Sequence, residues 1–92
     1  MDSKLLYRIR VTGRVQGVGF RWSAANQAVK LEITGYVKNM RDGSVFIEAE
    51  GTLSQLDKFI EWCREGPGIG YVDSVDLEKL PPVGYDDFRI AH

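Results

Sequence analysis

Ninety-two residues are enough for one hydrophobic core but not for two. With 43% hydrophobic and 27% charged residues the chain is ordinary globular material, and a net charge of −1 provides no global field for nucleic acid or an anionic membrane. No apolar run reaches membrane-spanning length, the opening Met1-Asp2-Ser3-Lys4 carries no apolar leader region, and the single Cys63 has neither an internal disulfide partner nor a zinc ligand set around it. The expectation is one domain over residues 1–92, in a reducing cytoplasm.

In chain order, Tyr7, Ile9 and Val11 alternate with Arg8, Arg10 and Thr12, the period of a half-buried strand ending near Gly13. Arg21 to about Leu31 lacks Gly and Pro and is rich in Ala, which predicts a helix. Two stripes compete for its buried face: Phe20, Ala24, Ala28 and Leu31, or Trp22, Ala25, Val29 and Ile33. The first is favoured, because its alanines permit close approach to a sheet and it aims Arg21 towards the preceding loop. Gly35 to Asn39 reads as a second strand, and Met40-Arg41-Asp42-Gly43 as a hairpin turn. A third strand puts Val45, Ile47 and Ala49 on one face and Phe46, Glu48 and Glu50 on the other, the two carboxylates facing solvent. Thr52-Leu53-Ser54-Gln55 is a capping box that opens a helix carrying Leu53, Leu56, Phe59, Ile60 and Cys63, stopped by Gly66-Pro67. A strand over about Tyr71 to Leu80 ends at Pro81-Pro82, and Phe88 and Ile90 alternate as a short last strand. The order β-α-β-β-α-β with an extra strand predicts an α+β, ferredoxin-like split β-α-β sandwich with a mixed sheet and two helices on one face.

The stretch from Gly13 to Arg21 lies between the first strand and the first helix. Gly17 and Gly19 let the backbone turn several N–H groups inward, and Arg21 stands where the helix begins, a position that disfavours a cation unless an anion compensates. An anion site built from main chain, helix N-terminus and guanidinium follows, with phosphate as the expected anion. A dinucleotide fingerprint is excluded because Trp22 occupies the place of its third glycine, and the Gly-Lys-Ser/Thr of a nucleotide P-loop is absent. In the expected topology the first and second strands run the same way. A helix of about twelve residues and a returning strand of five or six each cover ~18 Å. The glycine loop and the end of the second strand therefore fall at the same edge, so Asn39 is expected to meet Arg21 across eighteen positions of sequence.

The string Gly13-Arg14-Val15-Gln16-Gly17-Val18-Gly19-Phe20-Arg21, then Gly35-Tyr36-Val37-Lys38-Asn39 and Asp42-Gly43-Ser44-Val45, resembles the acylphosphatase family over nearly the whole chain. The resemblance implies a catalytic arginine at Arg21, a catalytic asparagine at Asn39, and a phosphate cradle from the backbone of Gln16, Gly17, Val18, Gly19 and Phe20. It implies hydrolysis of the carboxyl–phosphate bond of small acyl phosphates, with neither a cofactor nor a metal. The expected partner is a small-molecule acyl phosphate, with no nucleic acid and no membrane, and the expected state is a monomer. Three residues depart from the family pattern. Glu32 replaces a frequent glycine at the end of the first helix, so the left-handed cap there is expected to be lost or strained. Met40 and Tyr36 replace a small hydroxyl residue and a tryptophan. Arg14, Asp42, Trp22, Trp62, Cys63 and His92 are read as surface, turn, packing or terminal residues. Competing classes are a phosphate-binding module without turnover and an RNA-binding sheet; the latter is disfavoured by the two acids beside Phe46. No pocket for the acyl half is legible.

Overall fold

The computed structural model describes residues 3–68 and 70–92, so the reading of the opening Met1-Asp2 lies outside it. Seven elements follow in order: β1 Lys4–Arg14, α1 Phe20–Lys30, β2 Thr34–Asn39, β3 Val45–Thr52, α2 Leu53–Glu65, β4 Tyr71–Leu80 and β5 Phe88–Ile90. The sheet order is β4-β1-β3-β2-β5. β3 is antiparallel to both β1 and β2, so β1 and β2 point the same way with β3 between them, and only β5 pairs in parallel, beside β2. This is the ferredoxin-like α+β sandwich. Among the described residues no helix is long and apolar enough to cross a membrane.

The alternation in β1 and β3 sorts as the sequence suggests. Tyr7, Ile9 and Val11 lie with Val45, Ile47 and Ala49 under the helices, and Val37 joins them from β2. α1 buries Phe20, Ala24 and Ala28, leaving Trp22 and Val29 exposed, so the alanine stripe faces the sheet. α2 opens on the capping box: the Gln55 N–H donates to Thr52 Oγ1 at 3.3 Å, and Gln55 Oε1 accepts from the Thr52 N–H at 2.9 Å. Leu56, Phe59, Ile60 and Cys63 are buried, whereas Leu53 is exposed. It occupies the first turn, beyond the edge of the buried stripe.

Two expectations are corrected. Glu48 and Glu50 do not face solvent; both are buried, because the chain from Pro81 to Asp87 crosses back over that face of the sheet. The Glu50 carboxylate accepts from the N–H groups of Val83, Gly84 and Tyr85 at 2.6–3.1 Å. Glu48 accepts from Arg8 Nε at 2.9 Å and from the Tyr85 hydroxyl. Trp22 does not pack at the helix flank but stands 67% exposed, whereas Trp62 does pack, its ring 5.4 Å from Phe20 and 6.3 Å from Phe59. Of the two outcomes expected at Glu32, a lost or a strained left-handed cap, the structure has the second. Glu32 adopts φ 59°, the Ile33 N–H donates to Ala28 O at 2.8 Å and the Glu32 N–H to Val29 O at 3.1 Å, a Schellman closure on a non-glycine residue.

Candidate active site

The site begins with backbone. Gly17 and Gly19 have φ of 75° and 79°, while Gln16, Val18 and Phe20 stay at negative φ. Such alternation turns successive N–H groups to one side of the chain and forms a concavity for an anion. Gly19 is also the N-cap of α1 and offers no side-chain oxygen to the first turn, so the leading amides of that helix lack the cap that α2 has.

Arg21 enters from that first turn. Among the described residues Arg8, Arg10 and Arg89 each pair with a carboxylate, and Arg21 does not. Its Nη1 donates to the Ala91 carbonyl at 3.2 Å and lies 3.4 Å from His92 Nδ1, an acceptor when the ring is neutral. These contacts fix one corner of the fork and leave its other N–H groups for a ligand. The C-terminal segment reaches this spot because β5 runs beside β2, where the Ala91 N–H donates to Val37 O at 2.8 Å.

Asn39 closes β2 opposite Val45. A cleft of about 280 Å³ is lined by Gly17, Gly19, Phe20, Arg21 and Trp22 on the helix side and by Asn39, Ile90 and His92 on the sheet side. Arg21 and Asn39 thus meet at one edge, as the topology required. Gln16 and Val18 do not line the cleft. The Gln16 amide donates to Met40 O at 2.7 Å and Ser44 O at 2.8 Å, tying the loop to the β2–β3 hairpin, and Val18 packs on the core. Asp42 serves that hairpin too: its Oδ1 accepts from the Ser44 N–H and hydroxyl, and its Oδ2 pairs with Arg10. Cys63 is in the core, where burial holds its thiol far above the ordinary range and therefore protonated.

Sequence reasoning missed Trp22 and His92 as cleft residues. Trp22 carried a usable signal, being next to Arg21 in the first turn of a helix whose buried face lies elsewhere. His92 carried none, because its place depends on a strand pairing fifty residues of chain removed from β2.

Comparison with known proteins draws these features together. A sequence model described as acylphosphatase matches residues 7–90. An acylphosphatase of Thermotoga maritima is 47% identical over 85 residues, covering 92% of this chain and 94% of its own. The crystal structure of acylphosphatase from Bacillus subtilis superposes with a TM-score of 0.93 at 39% identity, over 96% of this chain and 99% of that one. An acylphosphatase structure from Coxiella burnetii gives the same TM-score at 36% identity, over 97% and 94%. Likeness of this extent, with the matched residues 7–90 reaching from β1 to β5 and including the loop that forms the cleft, places the chain in the acylphosphatase family, hydrolases of acyl phosphates.

Proposed function

We propose that the cleft cleaves the phosphorus–oxygen bond of a small acyl phosphate, with the phosphoryl group held by the glycine loop and Arg21 and the attacking water positioned by Asn39. An acyl phosphate is a mixed anhydride whose leaving carboxylate is the base of an acid of pKa about 4, so it departs without a strong general acid. The protein has to grip the phosphoryl oxygens, hold water in line and stabilise developing charge. Loop amides, first-turn amides and the guanidinium do the first and third, each charge-assisted hydrogen bond contributing roughly 1.5–3 kcal/mol. The Asn39 carboxamide oxygen accepts a hydrogen bond from water and directs its lone pair at phosphorus. The new bond joins water oxygen to phosphorus as the bond to the carboxylate oxygen breaks. One water proton passes to a phosphoryl oxygen, so a dianionic acyl phosphate and water give a carboxylate and dihydrogen phosphate, and charge balances without a base from the protein.

The observation that carries this reading is the single cleft shared by Gly17, Gly19, Arg21 and Asn39. A cytoplasmic setting belongs to the same reading and is supported by the lone, buried cysteine. The test is hydrolysis of benzoyl phosphate by the purified chain with excess chelator present. Turnover well above the uncatalysed rate is expected. Phosphate binding with no turnover would make the protein a binding module, and complete loss on chelation would require a metal that this reading omits.

A further inference from the structure

Two neighbouring spaces share lining residues with the cleft. Towards the hairpin it adjoins a space that shares Asn39 and His92, which is the side of water attack if Asn39 holds the water as proposed above. Towards the helices it adjoins a groove of about 340 Å³ lined by Trp22, Ser23, Asn26, Gln27 and Lys30 of α1 together with Trp62 and Pro67. Trp22 lines both the cleft and this groove. In-line displacement puts the leaving group on the far side of phosphorus from the water. Asn39 belongs to the sheet layer, whereas Trp22 stands on the solvent side of the helix layer, with the cleft between them. A leaving carboxylate opposite Asn39 therefore emerges towards Trp22.

We propose that the groove between Trp22 and Trp62 is the subsite for the acyl half of the substrate and that Trp22 selects flat, apolar acyl groups, aromatic ones above all; this rests on the acyl phosphate reading of the cleft. An indole that is 67% exposed beside a polar cleft keeps a large apolar surface in water, and a planar acyl group laid on it removes that surface from solvent. Trp62 forms a fixed second wall, since its ring packs on both Phe20 and Phe59. Beyond the indoles the groove is polar, and Lys30 stands eight residues along α1, about 12 Å away. A ring fits beside the tryptophans, whereas a long alkyl chain would leave the apolar part.

The experiment compares kcat/KM for benzoyl phosphate and acetyl phosphate in the wild type, Trp22→Ala and Trp22→Phe. The benzoyl-to-acetyl ratio is expected to fall about two- to tenfold in Trp22→Ala, the range of an aromatic pair contact, and to stay near the wild-type value in Trp22→Phe. Binding is read separately with two non-hydrolysable phosphonates, phenacylphosphonate and acetonylphosphonate, whose affinity ratio should move by the same factor. A ratio unmoved by Trp22→Ala in both measurements overturns the subsite while leaving the hydrolase reading intact. Absence of turnover with either acyl phosphate overturns the hydrolase reading, and the phosphonate ratio then still decides whether the groove accepts a ring.

Discussion

Two loops of this chain share a backbone device, and of the two one is open. At residues 83–85 Gly84, at φ 89°, stands between two residues of negative φ, and three consecutive N–H groups converge on Glu50. At residues 16–20 two glycines of left-handed φ alternate with three residues of negative φ, beside a helix start with no side-chain cap. The first concavity is filled by a carboxylate of the protein and holds the β4–β5 crossover against the sheet. The second has no carboxylate of its own among the described residues, and Arg21, in the adjoining first turn of α1, rests on a carbonyl and an imidazole. A concave run of amides is thus a structural clasp when the chain supplies the anion, and a candidate binding site when solution must supply it.

The largest effects should come from breaking the open copy. Arg21→Lys is expected to lower kcat/KM for an acyl phosphate by about 10²–10³-fold, since an ammonium cannot reproduce a planar fork and the loss matches that of one preorganised donor. Asn39→Ala should lower kcat by a similar factor, about 10²-fold or more, while the inhibition constant for inorganic phosphate moves by no more than about threefold. Steady-state kinetics with phosphate as competitive inhibitor separates the two. Unchanged turnover in Asn39→Ala would remove the role given to that residue.

Breaking the filled copy should cost stability and not chemistry directly. Glu50→Ala removes an anion that is only 2% exposed and strands three N–H groups, with an expected loss of about 3 kcal/mol. For a domain of this size that is a fall in Tm of roughly 12–24 °C, read by thermal unfolding. Glu50→Gln keeps one acceptor oxygen and should lose about half as much. A melting temperature unaltered by either change would mean that the crossover is held by its other contacts alone.

The crossover also makes a pH prediction. Removal from water, and then its hydrogen bond to Glu48, pushes the Tyr85 phenol well above its ordinary value of 10.0. Once pH exceeds that ordinary value, an unfolded Tyr85 releases its proton while a folded one retains it. The folded state then binds more protons, so stability is lost as pH rises above 10 and is unaffected by this group below it. Tyr85→Phe should flatten that part of the denaturant-derived stability curve. An equally steep alkaline loss in the variant would assign the slope to other groups.

How much of this was legible in the sequence depends on what each residue answers to. Ile9 and Val45 sort by period alone, because two faces and one core leave them a single solution, whereas Ala24 also needed its small size to decide between two stripes. Arg21 and Asn39 are brought together by topology, and topology follows from element order. Glu48 and Glu50 were misread because alternation says which face a side chain takes and is silent on what covers that face. Their cover is the segment after Pro81-Pro82, which in sequence is only the end of a strand. His92 and the second wall at Trp62 were invisible as site features for a related reason. Each reaches the cleft region through a contact between distant elements, β5 on β2 and α2 beside α1, that leaves no local pattern.

Another left-handed position sharpens the comparison, because there the strain brings no ligand. Glu32 adopts φ 59° to close α1, the only described residue other than glycine at positive φ. The two closing hydrogen bonds at 2.8 and 3.1 Å are made by the backbone and do not need its side chain, which is exposed. A β-carbon in this region costs about 1–2 kcal/mol, and glycine avoids that cost while adding about 0.4–1 kcal/mol of unfolded-state entropy. Glu32→Gly should therefore stabilise the protein by a net of about 0.5–1 kcal/mol, raising Tm by roughly 2–8 °C with kcat/KM unaffected. Glu32→Asn should gain less, since asparagine tolerates the left-handed region without matching glycine. If Glu32→Gly melts at or below the wild-type temperature, the left-handed turn is not strained, and the positive φ values of the phosphate loop lose their claim to require glycine on conformational grounds alone.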